Sequence, residues 1–412
     1  ATVFMTDDHN IPNQLPEGAH LRPWSQWPWA EIDLMVISPG IAHAYPEPHP
    51  AAKLAADHDV DVVSEIEIAM LAHPSARIVG ITGTNGKSTT TALIGHCLNV
   101  AGIPAAVGGN IGDAACQIDD PGPDGVIVLE LSSYQLETTP SLRTDMSVVL
   151  NISPDHLDRH GGMDGYVEAK ARILKAVDGR GLAILGEGDG HVRSLAVARA
   201  AEGHPVEIAR DNDAPPSIAA CRALTGAHNA ENAAAAALVL RQLGVSTTII
   251  DQGMGSFAGL PHRLQHVASA GPITFVNDSK ATNGVAAARA LQAFKNIYWV
   301  AGGLAKEDGI GAAVQALEHV TGAYLIGEST PVFASALEGR CPATEHGDLR
   351  AATTAAFADA WAGGIAATVL LAPAAASFDQ FESFAARGDA FTGIARQLAA
   401  SVGGTGKGGA HA

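Results

Sequence analysis

Three α/β units in tandem, the middle one built around a phosphate-binding loop on a mostly parallel sheet, are what this 412-residue sequence predicts. Length is the first reason, because a chain of this size exceeds a single hydrophobic core and divides into domains. The second is the repeated alternation of short apolar, β-branched runs with helical stretches, the pattern of doubly wound sheets. The third is "RIVGITGTNGKSTTTALIGHCLNV", Arg77 to Val100, which reads as strand, glycine loop and helix.

The first unit covers residues 1–64, with strands in "ATVFM", "IDLMVIS" and "VDVVS" and a helix in "HPAAKLAAD". It opens without methionine and directly on a strand. A nucleotide-binding α/β domain ordinarily has an earlier strand and glycine turn, so this unit is expected to be incomplete. Residues 65–262 form the central unit, whose clearest strands are "GVIVLEL", "MSVVLNIS" and "GLAILG". Its "NAENAAAAALVLRQLG" reads as a tightly packed helix, since Leu238, Leu240 and Leu243 continue an apolar face. In residues 263–412 the strands "ITFVND", "NIYWVAGG", "GAYLIG" and "ATVLLAP" alternate with alanine-rich helices, and the tail "GGTGKGGAHA" is expected to be disordered.

Composition narrows the function classes. Lys and Arg number 25 against 43 Asp and Glu, a formal charge of −18; this argues against nonspecific binding to nucleic acid or an anionic membrane surface. An anionic partner must then be gripped by local basic residues. Cys97, Cys116, Cys221 and Cys341 are far apart, without the spacing of a zinc site or a disulfide framework, which fits a reducing cytoplasm. No apolar run approaches the roughly 18 residues a membrane span requires, so no membrane insertion is expected. "DHDVDV" (57–62) starts like a calcium loop but has Val62 where the turn glycine belongs and Ile68 where the closing glutamate belongs. "HLDRH", His156 to His160, lacks a second ligand group at metal spacing.

The glycine loop departs from the usual P-loop pattern by one position: five residues before Gly86 stands Ile81, with Gly80 and Gly83 on either side. The physics of the stretch is nonetheless that of a phosphate cradle. Backbone N–H groups from Gly83, Thr84, Asn85 and Gly86 and the positive end of the following helix converge on an anion. Lys87 can reach the outer phosphates, Ser88 can ligate Mg²⁺, and Thr89 lies beside them. A nucleoside triphosphate is the expected ligand, and its use is left open by the loop alone.

Two further strands end in polar residues. "GVIVLELSS" carries Glu130, and "VVLNISPDHLDRH" places Asn151, Asp155 and His156 past a buried run. In a doubly wound sheet, strand ends of this kind face the ligand crevice, so Ser88, Glu130, Asp155 and His156 are expected to converge on the metal of the nucleotide. Any one of these residues taken singly also reads as a cap of the next helix, a reading the set together disfavours. In "GGMDGYVEAKARILKAV", Tyr166 and Lys170 lie one turn apart on one face, and Glu168 and Arg172 pair at the same spacing. From the residue alone Lys170 reads as a solvated surface lysine.

The ordered series "GITGTNGKSTT", "GGNIG", "ELSSYQLE", "NISPDHLDRH", "YVEAKARI", "LTGAHNAENAAAA", "GLPHRLQ", "VNDSKATN" and "APAAASFDQFESFAARGDAF" resembles the Mur ligase family, the ATP-dependent amino acid ligases of peptidoglycan synthesis. It covers nearly the whole chain, and the last two segments resemble the family's D-glutamate-adding branch. The resemblance implies a small N-terminal Rossmann-like domain that binds a UDP-linked substrate, a central ATPase domain and a C-terminal Rossmann-like domain that binds the amino acid. It further implies a cytoplasmic, monomeric enzyme acting on UDP-N-acetylmuramoyl-L-alanine and glutamate.

By that resemblance Lys87 and Ser88 hold the phosphates and one Mg²⁺ with Glu130, and His156 is a ligand of a second Mg²⁺. Lys170 corresponds to the lysine this family carbamylates, a change that turns a cation into a carboxylate-like group able to support that metal. His228, Asn229 and Asn232 correspond to nucleotide contacts, although "HNAEN" alone also reads as a capped helix start. Arg263, Asp278 and Lys280 correspond to residues that close over ATP. For the UDP-linked substrate the resemblance points to Ser38, Pro39, Gly40, Asn110 and Ser132. For glutamate it points to Thr282, Lys306, Ser377, Phe378 and Phe384, a lysine and hydroxyls that suit a dianion.

The sequence departs from the family in its apparent lack of the first strand and glycine turn, in a shorter stretch between Lys170 and His228, and in Ala372 where serine is common. The alternatives left open are a related ligase using L-glutamate or another amino acid, and a nucleotide-binding homologue without ligase activity.

Overall fold

The computed structural model describes residues 2–6, 15–73, 76–224, 227–305 and 309–403. The chain divides into two compact units, Ala1–Phe257 and Ala258–Ala412. The glycine-rich tail from residue 404 lies outside the described residues.

The first unit opens with two short parallel pairs, β1 (Val3–Met5) with β2 (Ala19–Leu21) and β3 (Leu34–Val36) with β4 (Asp61–Val63). The helix Pro50–Asp57 joins the second pair, its first turn fixed by Pro50 and by the His49 ring accepting from the Ala51 N–H. Trp29, Met35 and Ile37 pack with Ala51, Ala52 and Ala55 into a small separate core.

Behind these stands a six-stranded sheet: β5 (Arg77–Thr82), β6 (Ala105–Gly109), β7 (Val126–Glu130), β8 (Thr144–Val149), β9 (Val177–Gly186) and β10 (Val206–Ala209). The spatial order is β10-β9-β8-β5-β7-β6, and every pairing is parallel. Buried on both faces, β7 is apolar up to Glu130, β5 is apolar from Ile78 to Ile81, and β8 carries Met146, Val148 and Val149 inward, as parallel strands between helical layers require. The chain leaves β5 toward β6 and β7 on one side and later reaches β8 on the other. The carboxyl end of β5 is therefore the switch point where an α/β sheet opens a crevice. The helix Ala227–Gln242 covers one face with fully buried Ala233 to Ala237, whose small side chains let it lie close against the helix Lys87–Val100.

The second unit is another six-stranded sheet, β11 (Gln265–Ala270), β12 (Ile273–Asn277), β13 (Ile297–Gly302), β14 (Val320–Ile326), β15 (Ala343–Glu345) and β16 (Ala367–Leu371). Its order is β11-β12-β16-β13-β14-β15, parallel except for the β11–β12 hairpin. Trp299, fully buried, donates its indole N–H to the Ala372 carbonyl at 2.7 Å and so ties β13 to the turn after β16. Ala372 is itself fully buried, which gives a physical reason for a methyl group there, since a buried hydroxyl would need its own partner.

Among the described residues no helix is long and apolar enough to cross a membrane, and Cys97, Cys116, Cys221 and Cys341 are all unpaired thiols.

Candidate active site

The strand β5 ends at Thr82, and the turn Gly83–Gly86 delivers the chain into the helix Lys87–Val100. Gly86 caps that helix in the left-handed region, at φ 85°. A Cβ placed there would overlap the side-chain oxygen of buried Asn232. Both the conformation and the close approach require glycine. Gly86→Ala is accordingly expected to weaken ATP binding about tenfold and to lower the melting temperature, through backbone strain of about 1 kcal/mol and the displaced Asn232. Nucleotide titration and thermal melting would check it, and an alanine variant with unchanged affinity would contradict it.

The loop is cross-braced from the neighbouring strand end. The Asn151 amide accepts from the Asn85 N–H at 2.8 Å and donates to the Asn85 carbonyl at 3.1 Å, while the Thr84 N–H donates to the Asn151 carbonyl at 2.8 Å. The Thr84 hydroxyl reaches the Ser153 carbonyl and the Tyr166 hydroxyl, both at 3.1 Å. Lys87 folds back over the loop, donating to the carbonyls of Gly83 and Thr84 at 3.0 Å each. Ser88 is buried one residue further into the helix, and Thr89 is half-buried.

Lys170 is the main correction to the residue-level reading. Far from being solvated, it is 1% exposed and donates to the Gly83 carbonyl at 2.8 Å, with its ammonium 4.7 Å from the Tyr166 ring centre. The helix Met163–Ala176 turns Tyr166 and Lys170 inward together, so the face that spacing identified is the buried one. Burial, and then the charge of Lys87, push the Lys170 pKa well below the usual lysine value. The expected Glu168–Arg172 pair is not among the ion pairs; Arg172 instead donates to the Glu137 carbonyl at 3.0 Å, across to the next helix.

Glu130 closes β7, 2% exposed. One carboxylate oxygen accepts from the Asn110 amide at 2.9 Å, and the other is buried without a hydrogen-bond partner. An orphaned anionic oxygen beside the phosphate loop is the observation that fits a cation, and Ser88 and Glu130 supply the oxygen donors that Mg²⁺ prefers. The remaining candidates are not gathered with them: among the described residues no three His, Cys, Asp or Glu side chains form a ready-made metal cluster. His156 stands exposed at φ 51°, its ring against Tyr134 and 3.6 Å from Asp155. An unmodified Lys170 is a cation or a neutral amine, so a second metal at His156 finds no anionic partner in it.

His160, at the end of the same loop, is buried between the Ser133 hydroxyl at 2.9 Å and the Glu137 carboxylate at 3.1 Å. Sequence reading found no role for it, and no spacing signal marks it. Its neighbour Arg159 stacks over Tyr134 and donates to the Gly40 carbonyl at 3.1 Å, holding the exposed Ser38–Gly40 turn that follows β3. Ser132 caps the helix Ser133–Glu137 in a reciprocal box with Gln135. Asn229 accepts from Asn232 at 3.2 Å within the helix Ala227–Gln242. The side chain of His228 lies outside the described residues.

In the second unit, Asp278 follows β12, its carboxylate accepting from the Leu264 N–H at 3.2 Å; burial raises its pKa to about 6, against the pull of Arg263. The Lys280 ammonium lies 4.2 Å from the centre of the Phe384 ring. Ser377 is 2% exposed, with its hydroxyl unpartnered, while adjacent Phe378 is 71% exposed. Thr282 is half-buried in the turn before the helix Gly284–Gln292. Lys306 lies outside the described residues.

Residues 81–215 match the Mur ligase middle domain, and residues 262–375 the Mur ligase, glutamate ligase domain. The chain is 43% identical over 396 residues to the UDP-N-acetylmuramoylalanine–D-glutamate ligase of Rhodospirillum rubrum, covering 90% of this chain and 83% of that protein. It is 41% identical over 430 residues to the ligase of the same name from Phenylobacterium zucineum, covering 97% and 92%. Among solved structures it resembles MurF from Acinetobacter baumannii, at TM-score 0.59 and 18% identity over 80% of this chain and 78% of that one. It also resembles MurF ligase from Thermotoga maritima in complex with ADP, at TM-score 0.56 and 17% identity over 90% and 97%. At these identities the structural likeness is one of fold.

Proposed function

The chain belongs to the Mur ligase family, and on that premise we propose that it joins D-glutamate to UDP-N-acetylmuramoyl-L-alanine, converting ATP to ADP and phosphate. The supporting observation is the set at the end of β5: half-buried Lys87 over the phosphate loop, buried and orphaned Glu130 at the end of β7, and buried Lys170 held on the Gly83 carbonyl.

A carboxylate is a poor electrophile, so the γ-phosphoryl group passes first to the substrate's terminal carboxylate. The amine then attacks the acyl phosphate, and phosphate leaves. Crowding of anionic groups in the first step is the main barrier, and Mg²⁺ held by Ser88 and Glu130 would offset that charge when bound. Lys87 neutralises the outer phosphates, and the loop N–H groups from Gly83 to Gly86 orient them. Gly83, Thr84, Asn85, Thr89, Asn229 and Asn232 complete the ATP set of the first unit, and His228 joins them by its place in the chain; Arg263, Asp278 and Lys280 of the second unit are assigned to ATP by their correspondence to the family alone.

Lys170 is assigned the role of a carbamate. Its lowered pKa supplies the neutral amine that attacks CO₂, the amine loses a proton, and the resulting anion can support a second metal with His156. Residues 1–64 are assigned to the UDP-linked substrate, through Ser38, Pro39 and Gly40. Asn110, fixed on Glu130, is assigned to its peptide-bearing part, and Ser132 to the same substrate. Residues 263–412 are assigned to glutamate, held by Thr282, Lys306, Ser377, Phe378 and Phe384. The enzyme is taken to act as a cytoplasmic monomer.

The test is phosphate release from ATP and Mg²⁺ with UDP-N-acetylmuramoyl-L-alanine, comparing D-glutamate, L-glutamate and no amino acid. Stimulation by D-glutamate alone is the expected result. Stimulation by L-glutamate would overturn the stereochemical assignment, and bound ATP without stimulation would overturn the ligase reading.

A further inference from the structure

We propose that Arg387 is the positioning residue of the amino-acid pocket, a buried cation that holds the pocket's three loops in register without touching the substrate. The proposal rests on the assignment of glutamate to the second unit.

Arg387 lies in the first turn of the helix Phe384–Gly403 and is 1% exposed. A buried guanidinium ordinarily has a carboxylate partner. The hydrogen bonds of this one go to backbone and hydroxyl oxygens, and Asp379 acts on it only as a nearby charge. Its Nε donates to the Ser279 hydroxyl at 3.0 Å, one terminal nitrogen to the carbonyls of Ala376 at 3.1 Å and Gly302 at 3.4 Å, and the other to the carbonyls of Ser279 at 3.0 Å and Ala375 at 3.1 Å. All five N–H donors of the group are thereby used. Burial lowers its pKa to about 10, which leaves it charged at neutral pH.

The acceptors come from three separate chain segments, each following a strand of the sheet. Ser279 follows β12 and precedes Thr282; Gly302 ends β13; Ala375 and Ala376 follow β16 and immediately precede Ser377. A fourth link runs through the Ser279 hydroxyl, which donates to the Phe384 carbonyl at 2.7 Å. Thr282, Ser377, Phe378 and Phe384 thus each stand within a few positions of an atom bonded to Arg387 or to its serine relay. Leu304 and Ala376 also exchange both backbone hydrogen bonds, at 2.9 Å each, which locks two of the loops edge to edge. The unpartnered, buried Ser377 hydroxyl is left at the end of this assembly. A rigid planar fork with five donors can hold three loops at fixed separations, whereas an ammonium has three donors and no plane.

The test measures steady-state phosphate release by the full chain, varying each of the three substrates in turn, for wild type, Arg387→Lys and Ser279→Ala. Melting curves establish that each variant is folded. The expected result is a rise in KM for D-glutamate of about tenfold for Arg387→Lys and about threefold for Ser279→Ala, with KM for ATP and the UDP-linked substrate changed by about twofold or less. A purely structural role would lower the melting temperature without singling out glutamate. If all three KM values rise together, or none moves, the proposal is overturned; should Arg387→Lys fail to fold, Ser279→Ala decides alone. Wild type that shows no glutamate-stimulated release strikes instead at the assignment of the reaction.

Discussion

Lys170→Met is expected to lower turnover by about 10³-fold or more and at the same time to make the protein more stable. Loss of activity follows if the group at this position supports the metal and the transferring phosphoryl charge, because methionine can be neither an amine nor a carbamate. The gain in stability follows from the burial of an amine that donates to the Gly83 carbonyl. Its pKa lies well below the ordinary lysine value, first because of burial and then because of Lys87. Below the folded-state pKa both states are charged and the folded state bears the whole penalty of holding the cation. As pH rises from there toward the unfolded lysine value, the unfolded chain keeps a proton that the folded chain has released, so stability increases with pH and the penalty fades. In CO₂-free buffer without nucleotide, the variant should therefore melt a few degrees above wild type near neutrality, a difference of about 1 kcal/mol or more. That gap should narrow toward alkaline pH. Added bicarbonate should give a carbamate ¹³C signal in wild type and none in the variant, and it should not restore turnover. Turnover within about tenfold of wild type would remove Lys170 from the site.

The same residue shows where sequence reading succeeds and where it stops. Strands such as β7 and β13 were legible because parallel strands buried on both faces have little choice but apolar residues. The phosphate loop was legible despite Ile81, because the strand, the glycines and the helix supply the physics that the motif abbreviates. β6 was not, since "AAVGG" has almost no β-propensity of its own and exists by pairing with β7. Helical spacing put Tyr166 and Lys170 on one face, yet nothing local says which face is buried; that is decided by the loop at Gly83, far away in the chain. His160 and Arg387 were missed for the same reason. Their partners, Ser133 and Glu137 for one and Ser279, Gly302, Ala375 and Ala376 for the other, meet them only in the folded sheet.

Glu130→Gln separates the metal from the scaffold, and it should cost about 10²- to 10³-fold in turnover with little change in stability. Glutamine keeps the shape of the side chain and one carbonyl oxygen, which can still accept from Asn110 as the carboxylate does at 2.9 Å. The change falls on the other oxygen, which is buried and has no hydrogen-bond partner. In the wild type that oxygen is an anionic lone pair with nothing to accept, and leaving it unmet is costly. Replacing it with an amide removes the charge but puts two N–H donors in the same place and takes an anion away from Lys170, so these effects oppose and the melting temperature should change little in the absence of nucleotide and metal. Magnesium should then divide the two proteins: wild type should bind ATP more tightly as Mg²⁺ is raised, and the glutamine variant should respond much less. ATP titrations at several Mg²⁺ concentrations would show this directly, independent of turnover. Equal Mg²⁺ dependence in both proteins would mean that the orphaned oxygen is not a metal ligand, and the cation would then have to be held without Glu130.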